Sequence, residues 1–227
     1  PSLTEMTEKA LDILSRSTED EAKGFFIMIE ASRIDHASHA NDAAAHIWDV
    51  VEYNRLIHSV MAWVDEHPDT AVVSAADHET GGITLPPGYD PRPVGRANHS
   101  LEFLVDLIDE CEGDMDDKRA YLEAEILPQY GVDDATGEEI GALLDAEDVT
   151  AALAATLNER IGVEWSTTDH SAVDVVLYAY AAGEMKTRLL EDLAGTKENV
   201  QLPRYVAEAL GVSLDEVTAL LRGNGTV

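Results

Sequence analysis

The sequence predicts an α/β protein, a central sheet flanked by helices, and three observations carry that reading. The first is a pair of short apolar runs with the length and composition of buried strands, Phe25-Phe26-Ile27-Met28-Ile29 and Thr70-Ala71-Val72-Val73-Ser74-Ala75-Ala76. The second is the stretch between them. Asn41-Asp42 can cap a long helix there, and Ile47, Val50, Val51, Ile57, Val60, Met61 and Val64 follow the helical period to about Glu66, where His67-Pro68 closes it. Strand, helix, strand in that order predicts a right-handed βαβ unit. The third is that both runs end in metal-ligand residue types. In open α/β sheets, ligands bind beyond the carboxyl ends of the strands.

Ahead of the first run, Ser2-Leu3-Thr4-Glu5 reads as a capping box. It opens an amphipathic helix with Met6, Ala10, Ile13 and Leu14 on one side. The run itself ends in Glu30, then Asp35, then His39. Asp35 and His39 are one helical turn apart and would share a face. Carboxylate oxygen plus imidazole nitrogen suits a divalent ion of zinc type; the same residues would also suit a solvated turn after a core strand. The second run ends in Asp77-His78, followed by Glu79-Thr80-Gly81-Gly82. A third cluster, Thr167-Thr168-Asp169-His170-Ser171-Ala172, precedes an apolar run from Val173 to Ala179 that predicts another strand, reaching Tyr180. His46, His58 and His67 lie in or at the end of the long helix with no acidic or thiol partner at ligand spacing, and are read as structural.

From Pro86-Pro87-Gly88 the character changes. Proline and glycine cluster as far as Gly95, and acidic helical patterns follow at Leu101–Glu112, Lys118–Ile126, Gly137–Leu144 and Val149–Ile161. Without strand-like runs, this stretch predicts an excursion that leaves the sheet and returns. Its Asp114, Asp116 and Asp117 lack the spacing and closing Glu of a calcium loop. Two more helices are expected at Leu202–Leu210 and Ser213–Leu221. Asn98-His99-Ser100 and Asn224-Gly225-Thr226 fit the glycosylation sequon, at a frequency close to chance.

The formal charge of −30, from 15 basic and 45 acidic residues, argues against nucleic acid as a partner, since that binding rests on clustered Lys and Arg. No apolar run approaches the roughly 20 residues of a membrane span. Cys111 stands alone, so no internal disulfide forms and no compartment is implied.

Three pieces of the chain together resemble the second half of the alkaline phosphatases in order and internal spacing. They are Ile29-Glu30-Ala31-Ser32-Arg33-Ile34-Asp35-His36-Ala37-Ser38-His39, then Ser74-Ala75-Ala76-Asp77-His78-Glu79-Thr80-Gly81-Gly82, then Asp169-His170-Ser171-Ala172 through Tyr178-Ala179-Tyr180-Ala181-Ala182-Gly183. The resemblance covers Pro1 to about Gly183, and the end of the chain, with Gly195-Thr196-Lys197-Glu198-Asn199, more weakly. It implies a three-layer sandwich, incomplete here. Residues 1–85 would be α/β core with the ligand motifs, 86–163 an acidic, helical, crown-like insertion, and 164–227 a return to the core with C-terminal helices.

The resemblance further implies a three-metal site with two zinc ions and one magnesium. Asp35, His39 and His170 would hold one zinc, Asp77 and His78 would contribute to the second, and Glu30 would bind magnesium. His36, beside Asp35, is the candidate for a place near the substrate, because relatives put a His or Lys there; otherwise it is a surface residue. The family's serine nucleophile, bridging Asp, magnesium-holding Thr and phosphate-binding Arg have no counterpart. Ser2, Ser15 and Ser17 lie in polar, helical surroundings with no nucleophile motif. The expectation is therefore the C-terminal portion of an alkaline phosphatase, hydrolysing phosphate monoesters through a phosphoserine intermediate and inactive by itself. The family also implies a homodimer in the full-length protein and an extracytoplasmic location, with no signal visible in this chain. Two alternatives stand beside it: a related metal-dependent phosphotransferase or phosphodiesterase on the same scaffold, and a non-catalytic metal-binding or dimerising protein.

Overall fold

Helix α1 (Leu3–Ser17) begins as its capping box requires: the Ser2 hydroxyl accepts from the Glu5 amide, and the Glu5 carboxylate accepts from the Ser2 amide. The computed structural model describes residues 1–19 and 24–223, so the second sequon, Asn224-Gly225-Thr226, lies outside the described residues. A short helix α2 (Arg33–His39) leads into α3 (Ala43–Glu66), capped by Asp42 as expected. Leu11 of α1 and Leu56, Val60 and Val64 of α3 form one buried cluster, and Phe25, Ile27 and Ile29 lie against it.

That placement departs from the sequence expectation. Phe25–Ile29 is not a strand. Its side chains do alternate as a strand's would, with Phe26 and Met28 exposed on the opposite face. Among the described residues it has no neighbouring backbone to pair with, and pairing is what makes an extended segment a strand. The expected βαβ unit therefore does not form. Strand β1 (Ala71–Ala75) pairs instead with β4 (Leu177–Ala181), antiparallel, with Val73 opposite Ala179. β4 starts later than expected because Val173 and Val176 face solvent rather than a ladder. A second pair, β2 (Glu79–Thr80) with β3 (His170–Ser171), is also antiparallel and sets Thr80 opposite His170.

The largest core lies in the helical stretch between these strands. Leu101 and Leu104 of α4 (Leu101–Asp109) meet Leu153, Leu157 and Ile161 of α8 (Val149–Ile161), with Tyr130 and Ile126 closing the centre. Ala43 and Ala44 at the start of α3 join this cluster, so one helix spans both cores. Between them, α5 (Met115–Tyr121) runs through a π turn (Leu122–Ile126) into α6 (Leu127–Gln129), where Pro128 cannot donate to the helical ladder. Asp114 and Asp117 form the capping box of α5, which accounts for that acidic group without calcium. α7 (Gly137–Leu144) opens on another box, Thr136 with Glu139.

After β4 comes α9 (Met185–Leu193), which the sequence did not suggest because its apolar residues are sparse among charges. Its Leu189 and Leu193 pack on Ala181 and on Tyr205 of α10 (Gln201–Leu210). α11 (Leu214–Gly223) buries no residue.

Candidate metal centre

Two local structures meet at one point: the face of α2 that carries Asp35 and His39, and the β2–β3 pair that carries Thr80 and His170. The turn after β2 makes the meeting possible. Gly81 has φ of 87°, and a Cβ there would lie 2.5 Å from the Trp165 ring; one on Gly82 would lie 1.9 Å from the Ser166 hydroxyl. Only glycine lets the chain pass so close to the 165–166 segment.

The result is a cluster in which ligand atoms of Asp35, His39 and His170 all lie within 4.8 Å of one another. His39 Nε2 is 3.2 Å from His170 Nε2, and Asp35 Oδ1 is 3.4 Å from the first and 3.7 Å from the second. The Nδ1 of His39 donates to the Thr168 carbonyl at 2.5 Å, which assigns the proton to that nitrogen and leaves the Nε2 of the neutral ring as a lone pair facing His170. Two imidazole nitrogens that close need a proton or a cation between them. Two ligand atoms, each about 2.0–2.1 Å from a tetrahedral zinc, lie about 3.3 Å from one another. The spacing and chemistry of the three donors therefore fit an ion of zinc type, and three protein ligands leave a fourth position open.

Asp35 is prepared for that task. Burial pushes its carboxyl up, but the Thr80 hydroxyl, donating to Oδ1 at 2.5 Å, and the positive charge that His39, His78 and His170 carry when protonated outweigh burial and hold it below its ordinary value. Thr80 in turn accepts from His78 Nδ1 at 3.2 Å. That leaves His78 Nε2 facing Asp77 Oδ2, also at 3.2 Å, while the His78 ring stacks on His170 with centroids 3.4 Å apart. Asp77 and His78 thus form a donor pair beside the first cluster, but no third donor joins them among the described residues.

Glu30 and His36 fall elsewhere. Glu30 is exposed at the end of the extended segment and belongs to no ligand cluster among the described residues. His36 is exposed on another flank of α2, its Nδ1 2.9 Å from the Arg33 guanidinium. His36 and Arg33 line an open cleft with Trp48, Asp49 and His99. Two partners of the ligands were not foreseen from sequence. Thr80 sat in view within the Asp77–Gly82 motif, with nothing to mark it as the partner of Asp35. The Thr168 carbonyl leaves no trace in a sequence at all.

Comparisons with known proteins point the same way. The family model described as alkaline phosphatase matches residues 1–212. The chain is 37% identical to alkaline phosphatase of Schizosaccharomyces pombe, an alignment that takes in 98% of this chain and 43% of that protein. It is 33% identical to repressible alkaline phosphatase of Saccharomyces cerevisiae, again over 98% of this chain and 43% of the other. Among solved structures, alkaline phosphatase of Thermus thermophilus superposes with a TM-score of 0.76 at 26% identity, covering 94% of this chain and 48% of that one. The cold-active enzyme of Shewanella gives a TM-score of 0.67 at 27% identity, covering 79% and 44%. The chain spans less than half the length of these relatives. Family model, relatives and superposed folds agree with the three motifs read from the sequence, and the chain belongs to the alkaline phosphatase family.

Proposed function

We propose that this chain carries the metal-holding part of a hydrolase of phosphate monoesters. The observation that supports the reading most is the convergence of Asp35, His39 and His170, with the His39 ring fixed by a carbonyl so that its Nε2 faces the other two. In this reading those three residues hold one zinc. Asp77 and His78 give two donors to a second zinc, and the exposed Glu30 serves magnesium. Bound cations of this kind polarise phosphoryl oxygens and clamp the attacking and leaving oxygens of an in-line displacement. The chain's own residues set up that chemistry. Thr80 donates to and orients the Asp35 carboxylate, Thr168 fixes the tautomer of His39, and Thr80 again orients His78.

The serine that would form the phosphoserine intermediate has no counterpart in the matched motifs, so the activity belongs to a chain of the relatives' length. There the enzyme is proposed to act as a homodimer, with His36 beside the substrate. Zinc titration against a competing chelator, on that longer protein, tests the ligand assignment. His39→Ala and His170→Ala should each lose the same high-affinity zinc, and the double variant should be little worse than either single, because both remove one site. His58→Ala, on the exposed side of α3, should bind as the parent does. If each single variant loses a different ion, or if His58→Ala matches them, the shared site is wrong. An aryl phosphate assay adds the second half: residues 1–227 alone should show no turnover, and chelation should abolish that of the longer protein.

A further inference from the structure

Just beyond His39 the chain enters a junction that touches the 167–168 segment beside the metal centre on one side and the helical region on the other. Asn41 takes the left-handed backbone conformation, with φ of 52°, and is the one non-glycine residue to do so among those described. Asparagine tolerates that region better than most residues. Its amide donates to the Thr167 carbonyl at 3.1 Å, next to the Thr168 carbonyl that fixes the His39 ring. Its own carbonyl accepts from Nδ2 of Asn158, on α8, at 2.9 Å.

Asp42 follows and is 1% exposed. Its carboxylate accepts from the Ala45 amide at 3.1 Å, which starts α3, and from the Leu101 amide at 2.7 Å, which starts α4. The Tyr130 hydroxyl donates to it as well, at 3.1 Å. Burial pushes the Asp42 carboxyl up despite those three donors, and burial beside Asp42 raises the Tyr130 phenol well above its usual value. A buried carboxylate with this set of partners is held firmly, because losing one leaves an unsatisfied polar group in the interior.

We propose that Asn41 and Asp42 form a positioning joint, through which the helical region 94–163 sets the orientation of His39 and so the metal affinity of the Asp35–His39–His170 centre, although it supplies none of those ligands. The inference rests on the reading of that centre as a metal site. Coupling of this kind is reciprocal, so metal must also tighten the contacts at the joint.

Zinc titration against a chelator, with amide hydrogen exchange, tests this on the longer protein. Tyr130→Phe removes one hydroxyl from the joint and keeps the ring; zinc affinity should fall about fivefold or more, the lower end of ordinary coupling between sites. Asn41→Gly keeps the backbone conformation and removes the clamp on Thr167, and should act in the same direction. Glu139→Gln, on α7, weakens the helical region at its ion pair with Arg160 and removes none of the hydrogen bonds of the joint, and should leave affinity unchanged. Zinc should also slow exchange of the Leu101 amide. If Glu139→Gln lowers affinity as much as Tyr130→Phe, the region acts only through overall stability and the joint is rejected. It is rejected equally if Tyr130→Phe and Asn41→Gly bind as the parent does, or if zinc leaves Leu101 exchange unchanged, while His39→Ala still abolishes binding. Should His39→Ala itself bind normally, the metal reading falls and the joint with it.

Discussion

Thr80 shows how much one hydroxyl can decide. It donates to Asp35 and accepts from His78, so it orders a carboxylate in the candidate zinc cluster and an imidazole in the neighbouring donor pair at once. Partners of this kind typically contribute about 10–100-fold in metal affinity. Thr80→Val, which keeps the shape and removes the hydroxyl, should therefore weaken zinc by about that factor, whereas Thr80→Ser should stay near the parent. Competition with a chromogenic chelator measures both. At this scale the sequence was legible where chemistry follows spacing. Asp35 and His39 sit one turn apart on a helix, and their shared face follows from the period alone. His170 joined them in the sequence only through the family resemblance, and in the structure the β2–β3 pairing carries it across to α2. Glu30 and His36 were picked out by motif position, and the structure sets both apart from the cluster of Asp35, His39 and His170.

Helices were easier to read than strands, for a physical reason. A helix satisfies its backbone within one segment and signals its ends locally. Thr136 with Glu139 opens α7 and Asp148 opens α8, at the boundaries expected. A strand is completed by a partner the segment does not name. Phe25–Ile29 has a strand's alternation and no partner among the described residues, while β1 found its own in the last third of the chain. The α7–α8 contact supplies a prediction of its own. The Arg160 guanidinium, helped by Thr136, holds the Glu139 carboxyl at about 2, against an ordinary 4.5. A carboxyl lowered on folding adds stability that is fully present above its unfolded value and fades as the pH falls toward about 2. Thermal melts between those limits should show the parent losing stability more steeply than Glu139→Gln. Parallel profiles would mean that the ion pair contributes nothing to folding.

At the scale of the whole molecule, a net charge of −30 must be accommodated by a fold whose sheets are small. Like charges repel across the surface and oppose compaction, and salt screens them within about 10 Å at 0.1 M. Raising sodium chloride from about 0.05 M to about 1 M should thus raise the melting temperature of the metal-free chain. A flat or falling response would show that local pairs, rather than net repulsion, set the balance. The main hydrophobic cluster is drawn mostly from residues 94–163. What composition did not announce is that the same cluster takes in Ala43 and Ala44 of the helix next to the ligands. The indoles lie in correspondingly different places. Trp48 is half exposed, Trp63 lies face to face with His67 at 3.8 Å, and Trp165 meets His46 edge-on at 5.8 Å while covering Gly81. Light emitted by Trp165 accordingly comes from the seam between α2 and the β2–β3 turn, so the protein carries its own optical reporter of the segments that present Asp35, His39 and His170.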